Sequence, residues 1–319
     1  MPLNASASLG LVFPGQGSQH VGMLAELATQ SALVQETFAE ASAELGYDLW
    51  NLVEHGPAEQ LGLTAVTQPA ILTASVALWR LWCARGGQPP ALMAGHSLGE
   101  YSALVCAGAV DFRTAVGLVR RRGELMQDAV PVGVGAMAAV LGLDDAVIEA
   151  CCDRAAEAGV VRPANFNSPG QVVISGHGTA VERAMALCKE AGAKRTLLLQ
   201  VSAPFHSPLM EPAAREFAGV IADIELQAPR IAVVQNVGLE PIFDPEQIRQ
   251  RLVAQIASPV PWVATMQYFA DKGVQRLLEF GPGKVLAGLN KRIDGRLETL
   301  AVNDPVSFEQ ALQAVVSQS

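Results

Sequence analysis

The chain has 319 residues, half of them hydrophobic and 17% charged, the composition of one large globular domain or two ordinary ones and not of a disordered segment. Its formal charge of −9 at pH 7 argues against a general nucleic-acid binder, whose surface would be basic. The longest nearly apolar run, residues 129–143, contains Pro131 and falls short of the roughly twenty residues that a membrane-spanning helix needs.

The first ten residues place no basic residue ahead of an apolar stretch, so no secretory signal is expected. Residues 9–13 read as a buried strand that runs into the loop Pro14-Gly-Gln-Gly-Ser-Gln19. Residues 70–85 read as a helix stopped by Gly86-Gly87. Residues 91–94 form a short strand, and Gly95-His-Ser-Leu-Gly99 turns it into a helix over 100–107. Asp111 is an N-cap for a helix reaching about residue 128. Strands alternating with helices in this way imply a mostly parallel sheet covered on both faces.

Residues 132–201 follow a pattern of their own. Strands are expected over 135–141, 160–166, 171–175 and 194–201, with helices over 144–158 and 179–191 and the turn Asn167-Ser-Pro-Gly170 between the middle strands. The order βαββαβ is ferredoxin-like. The expected fold is therefore α/β, with a large parallel-sheet domain over 1–130 and 202–319 and an inserted ferredoxin-like subdomain over 131–201. Five cysteines, odd in number and without a Cys-x-x-Cys pair, indicate neither a disulfide framework nor a zinc site. The chain reads as cytoplasmic and soluble.

Gly95-His96-Ser97-Leu98-Gly99 fits the nucleophile elbow Gly-x-Ser-x-Gly, a tight strand-to-helix turn that lifts the serine hydroxyl clear of a sheet. The pattern alone is weak and also describes an ordinary buried turn; its place between a strand and a helix favours the elbow. A nucleophilic serine needs a base, and the histidines are His20, His55, His96, His177 and His206. His55 and His177 sit beside glycines and read as exposed turn residues. His206, in the proline-stiffened loop Ser202-Ala-Pro-Phe-His-Ser-Pro208, is either the base or a loop histidine without a role.

Of Arg120, Arg121 and Arg122, only Arg122 shares a helix face with Ala115, Leu118, Val119 and Met126. A buried guanidinium needs an anion, either an internal carboxylate or the carboxylate of a substrate. The loop over residues 15–20 lacks the third glycine of a dinucleotide fingerprint and the lysine of a phosphate-binding P-loop, which leaves an oxyanion-binding turn or a turn without a ligand. Lys284, Lys291 and Arg292 form a local basic group that is either a solvated face or a surface for an acidic protein.

Taken together, the segments Val12-Phe-Pro-Gly-Gln-Gly-Ser-Gln19, Thr67-Gln-Pro-Ala70, Gly95-His-Ser-Leu-Gly-Glu100, Arg121-Arg-Gly123, Gly135-Ala-Met137, Asn165-Phe-Asn-Ser-Pro-Gly-Gln171, Phe205-His206 and Glu279-Phe-Gly-Pro-Gly-Lys-Val-Leu286 resemble, in order and along nearly the whole chain, the malonyl-CoA:acyl carrier protein transacylases of fatty-acid synthesis. That family has a large α/β-hydrolase-like domain with a ferredoxin-like insertion. The resemblance implies Ser97 as nucleophile, His206 as base, and Gln255 as the residue whose main-chain carbonyl orients the histidine. It implies an oxyanion hole from the backbone N–H groups of Gln16 and Leu98. Arg122 would grip the malonyl carboxylate, with Gln68, Met126, Asn167 and Phe205 as further substrate contacts and Phe205 crowding the pocket against an α-methyl group. Pro204 departs from the family pattern.

The implied substrates are a coenzyme A thioester and an acidic acyl carrier protein that docks transiently, over Lys284, Lys291 and Arg292; no metal or redox cofactor, nucleic acid or membrane is implied, and the chain is expected to be a monomer. Three other readings share these residues. An acyltransferase serving a polyketide assembly line would use them all. A serine esterase or thioesterase would add an acidic third member, for which Asp111, Asp128, Asp144, Asp145 and Asp153 lie in the right stretch of chain. A scaffold on the same fold would not need the Ser, His and Arg set.

Overall fold

A computed structural model describes residues 6–201 and 203–316. Residues 1–5, part of the segment read as lacking a secretory signal, and Ser202, the expected point where the large domain resumes, lie outside the described residues. The strands are β1 (Ser6–Phe13), β2 (Pro90–Gly95), β3 (Gly135–Leu141), β4 (Val161–Ser168), β5 (Gln171–His177), β6 (Arg195–Leu198), β7 (Ala232–Val234), β8 (Arg276–Phe280) and β9 (Glu298–Val302).

The larger sheet has the order β7-β2-β1-β8-β9, and every neighbouring pair is parallel. Side chains alternate between its two faces, and both faces are covered. Leu11, Phe13, Met93, Leu278 and Phe280 join one core with Ile71, Trp82 and Phe308. Val12, Leu92, Ala94 and Leu277 join another with Trp262, Phe269 and Leu286. The strand registers pair Phe13 with Gly95 and Val12 with Glu279, so the chain leaves β1, β2 and β8 along one edge. Loops at the carboxyl edge of a parallel sheet are where α/β proteins gather functional groups.

The smaller sheet has the antiparallel order β4-β5-β3-β6, the ferredoxin-like arrangement. One face, with Ala138, Val140, Val172 and Ile174, packs on the helices Asp145–Ala155 and Gly178–Glu190 and buries Cys151, Cys152 and Cys188. The alternate residues Met137 and Val173 face the core of the larger body. The two sheets are further joined by Val260, whose N–H donates to the Ala164 carbonyl at 2.8 Å and whose carbonyl accepts the Phe166 N–H at 3.0 Å.

Three elements differ from the sequence reading. The helix expected over 70–85 spans Thr64–Ala84 and carries Pro69 inside it. Residues 67–78 are all buried, so packing outweighs the poor helix propensity of the threonines and the proline. The last strand of the small sheet stops at Leu198, and Leu199 and Val201 leave it to line a pocket. Helices Ala25–Gln30, Ala32–Leu45, Leu49–His55 and Ala58–Leu61 occupy a stretch for which the sequence carried no reading. Among the described residues, no helix is long and apolar enough to cross a membrane, and the cysteines are all free.

Glu279, buried near the end of β8, accepts the Leu286 N–H at 3.0 Å and the Ala287 N–H at 2.8 Å, capping helix Val285–Ile293. Burial pushes its carboxyl up from 4.5 to about 7, against the opposing pull of those N–H groups. Between these values the folded protein binds more protons at this residue than the unfolded chain does, so its contribution falls as pH rises. Glu279→Gln should therefore gain stability relative to the parent between about pH 5 and about pH 8. Urea unfolding of both proteins at the two pH values measures this; a difference independent of pH would contradict the assignment.

Candidate active site

The turn from β2 into helix Gly99–Cys106 is dictated by close approach. A Cβ on Gly95 would lie 1.8 Å from the Gly99 carbonyl carbon, and one on Gly99 would lie 2.0 Å from the Phe13 oxygen, so neither position admits a side chain. Ser97 between them has φ 51°, the left-handed conformation of a nucleophile elbow. Asn236, just beyond β7, holds it there: its Oδ1 accepts the Ser97 N–H at 3.0 Å, and its Nδ2 donates to the Gly95 carbonyl at 2.8 Å. Neither the Leu98 nor the Gln16 N–H donates to an acceptor among the described residues, so both remain free to meet an oxyanion.

His206 is buried, also at positive φ (57°), and its Nε2 stands 2.7 Å from Ser97 Oγ. Its Nδ1 lies 3.1 Å from the Gln255 carbonyl and 3.0 Å from that of Ser258. Carbonyls only accept, so the proton sits on Nδ1 and Nε2 offers its lone pair to the Ser97 hydroxyl. Burial, then the charges of Arg122 and His96, push the imidazole down to about 3, leaving the ring neutral near pH 7. None of Asp111, Asp128, Asp144, Asp145 and Asp153 reaches it; Asp111 instead caps its helix by accepting the Thr114 N–H at 3.0 Å.

Arg122 is 1% exposed on helix Phe112–Asp128, whereas Arg120 and Arg121 reach outward to Glu124. Its Nη1 donates to Gln68 Oε1 at 2.8 Å, and its Nη2 to Gln255 Oε1 at 2.9 Å and to Ser97 Oγ at 3.3 Å. The guanidinium carbon also lies 5.2 Å from the centroid of the Tyr101 ring. Among the described residues, no carboxylate lies within ion-pair distance, so the internal-carboxylate reading of its partner fails. Burial lowers its pKa from the ordinary arginine value. A positive charge is left beside Ser97 with only neutral acceptors bonded to it, an arrangement that can take up an anion from outside.

These groups open into a cavity of about 210 Å³ between the two sheets. Gln16, Gln68, Ser97, Leu98, Arg122, Met126, Asn167, Phe205 and His206 all line it, and Gln255 stands behind them. The small sheet and the strand leaving it add an apolar wall of Met137, Val173, Leu199 and Val201. His96 turns away from Ser97, its Nε2 2.8 Å from Asn167 Oδ1, and burial lowers its pKa. Pro204 packs against Gly135 rather than lining the cavity.

The three basic residues lie at the two ends of one helix. Lys284 precedes helix Val285–Ile293 at the cavity side, where Val285 lines the opening. Lys291 and Arg292 lie in its last turn, about 10 Å away at 1.5 Å per residue. Arg292 Nη2 donates to Gln171 Oε1 at 2.6 Å. His177 is not an exposed turn residue, because its Nδ1 accepts the Val160 N–H at 2.9 Å. His55, at the end of its helix, is exposed.

The sequence reading missed Asn236, the Ser258 carbonyl, and Glu100 as a buried carboxylate. Glu100 carried a usable signal: its helical neighbours Ala103, Leu104 and Ala107 are apolar, the same criterion that singles out Arg122. Asn236 and Ser258 gave none, since they act from irregular backbone remote in sequence from Ser97.

Comparison with known proteins bears on this geometry. The acyl transferase domain family matches residues 11–294. The chain is 59% identical over 302 residues to the malonyl CoA-acyl carrier protein transacylase of Escherichia coli K12, covering 95% of this chain and 98% of that protein. It is 44% identical to the Bacillus subtilis protein of the same name, over 98% and 99% of the two chains. Among solved structures, an acyl carrier protein S-malonyltransferase from Vibrio cholerae has a TM-score of 0.94 at 57% identity, covering 95% of this chain and 99% of that one. A malonyl-transacylase solved in complex with a type II PKS acyl-carrier protein has a TM-score of 0.95 at 55% identity, covering 96% and 99%.

Asn236→Ala would strip partners from the buried Ser97 N–H and Gly95 carbonyl at once. The expected cost is about 2–4 kcal/mol in urea unfolding, from two backbone groups left unsatisfied. A loss below about 0.5 kcal/mol would show that the elbow holds without this residue.

Proposed function

The chain belongs to the acyl transferase domain family, and on that premise we propose that it carries a malonyl group from malonyl-CoA to the phosphopantetheine thiol of an acyl carrier protein. The observation that carries this reading is Arg122, a buried cation 3.3 Å from Ser97 Oγ with no carboxylate of its own. A malonyl group presents a carboxylate one methylene from the carbonyl to be attacked, which suits a cation next to the nucleophile. An acetyl group would leave that cation unpaired, at a cost of about 2–5 kcal/mol typical of an uncompensated buried charge.

In the mechanism that follows, His206 Nε2 takes the Ser97 proton as Oγ attacks the thioester carbonyl. The negative charge moves to the carbonyl oxygen, where the N–H groups of Gln16 and Leu98 are placed to meet it. Collapse expels the coenzyme A thiolate, which takes the proton back from His206, and Ser97 keeps the malonyl ester. The carrier thiol then enters the vacated site, gives its proton to His206 and attacks the ester. The second oxyanion collapses to release Ser97, whose Oγ takes the proton back from His206, and the scheme is ping-pong. No step on these groups requires a metal or a redox cofactor. Phe205, Met126 and the apolar wall from the small sheet bound the space around the acyl chain.

The catalytic set is complete within one chain, which supports a monomer that meets its acidic carrier transiently, with Lys284 nearest the opening. Free cysteines support a reducing compartment, the cytoplasm. We assign a fatty-acid carrier, and the relative solved with a type II PKS carrier keeps a polyketide carrier as the second reading. The carbonyl partners of His206 Nδ1, in place of an acidic residue, weigh against an esterase.

Intact-protein mass spectrometry tests the proposal. Mixing with malonyl-CoA should add one malonyl group on the Ser97 peptide, and holo carrier protein should then remove it and gain the same mass. Release of the group as free malonate at the same rate with or without carrier would establish a hydrolase instead. An absent adduct would overturn the acyl-enzyme.

A further inference from the structure

Glu100 is fully buried on the first turn of helix Gly99–Cys106, behind the cavity and not among the residues that line it. Its Oε2 accepts the Asn236 N–H at 3.0 Å and Gln255 Nε2 at 2.8 Å. Gln255 Nε2 also donates to the Ser97 carbonyl at 3.0 Å. Both partners of Nε2 only accept, so both of its protons are committed and Gln255 Oε1 is left facing Arg122 Nη2 at 2.9 Å. Half a turn of the amide would set its NH₂ against the guanidinium, donor against donor, and its oxygen against two other oxygens. Arg122 is thus held between two amide oxygens, and the direction of one of them depends on Glu100.

Resting on the malonyl-transfer reading above, we propose that Glu100 is a positioning residue for acyl selectivity: through Gln255 it fixes the Arg122 guanidinium where a substrate carboxylate must meet it. The other carboxyl oxygen, Oε1, is buried without a partner among the described residues. Such an oxygen weakens the fold. A residue retained for packing alone needs neither a polar oxygen nor that orphan, whereas an acceptor for Gln255 requires an oxygen at this place and tolerates the orphan. Burial pushes the Glu100 carboxyl up to about 7, so its charge is only partial near neutral pH, and what Gln255 needs from it is the acceptor oxygen.

The test compares rates of Ser97 acylation from malonyl-CoA and from acetyl-CoA, read by intact mass. Glu100→Met keeps the length of the side chain but removes the acceptor, and should lower the malonyl-to-acetyl ratio about tenfold, the size of one hydrogen bond. Glu100→Gln, which can present an amide oxygen at the same place, should hold the ratio within about twofold of the parent. With Arg122→Ala already present, Glu100→Met should no longer move the ratio, because the residue through which it acts is gone. If Glu100→Met does not fold, Gln255→Leu cuts the same link from the other side and should lower the ratio by a similar factor. Equal losses for both acyl groups in Glu100→Met, or an unchanged ratio in Gln255→Leu, would overturn the role of Glu100. A parent protein that takes up neither acyl group would overturn the transfer reading on which it rests.

Discussion

The site depends on one unpaid electrostatic debt: a guanidinium taken out of water beside the nucleophile and given no carboxylate. Moving such a cation into a protein interior costs several kcal/mol even after relaxation, and neutral amide oxygens recover only part of that. Gln68 and Gln255 supply those oxygens, the Tyr101 ring adds its face, and the remaining attraction is available to an anion that enters the cavity. The same charge helps to keep His206 neutral, so the base is ready to accept a proton. In the proposed reaction, selectivity and readiness for chemistry share one source.

Holding that cation, the serine and the histidine in register requires three distant stretches of chain to meet. The elbow comes from the end of β2, Asn236 from just beyond β7, and Gln255 with Ser258 from the end of helix Pro245–Gln255 and the turn after it. Glu100 lies where they converge, bonded to Asn236 and Gln255 at once. The parallel sheet aligns the loops after β1, β2 and β8 on one edge, and the smaller sheet closes the cavity with apolar side chains. Ser97 and His206 both sit at positive φ, a strain that a network bonded on several sides can hold.

Much of this was legible in the sequence where the signal is local. Short apolar runs bounded by turn residues marked the strands, Gly-x-Ser-x-Gly marked the elbow, and the apolar neighbours of Arg122 marked its burial. The ferredoxin-like order of the small sheet followed from the succession of strands and helices over residues 135–198. What stayed hidden is what folding brings together. The helix at Thr64–Ala84 begins before its proline because its surroundings bury it, which no propensity reveals. Asn236 bonds the elbow across 139 positions of sequence. The Gln255 carbonyl at His206 came from the family resemblance alone, and that of Ser258, a backbone group with no residue signature, was not foreseen.

The central claim is that the charge of Arg122 selects the acyl group. Rates of Ser97 acylation from malonyl-CoA and from acetyl-CoA, measured for the parent and for Arg122→Ala, test it most directly. The account predicts that the variant loses about a hundredfold or more with malonyl-CoA and keeps or improves its rate with acetyl-CoA. An equal loss with both would contradict it, and would make Arg122 a support for Ser97 rather than the group that reads the substrate.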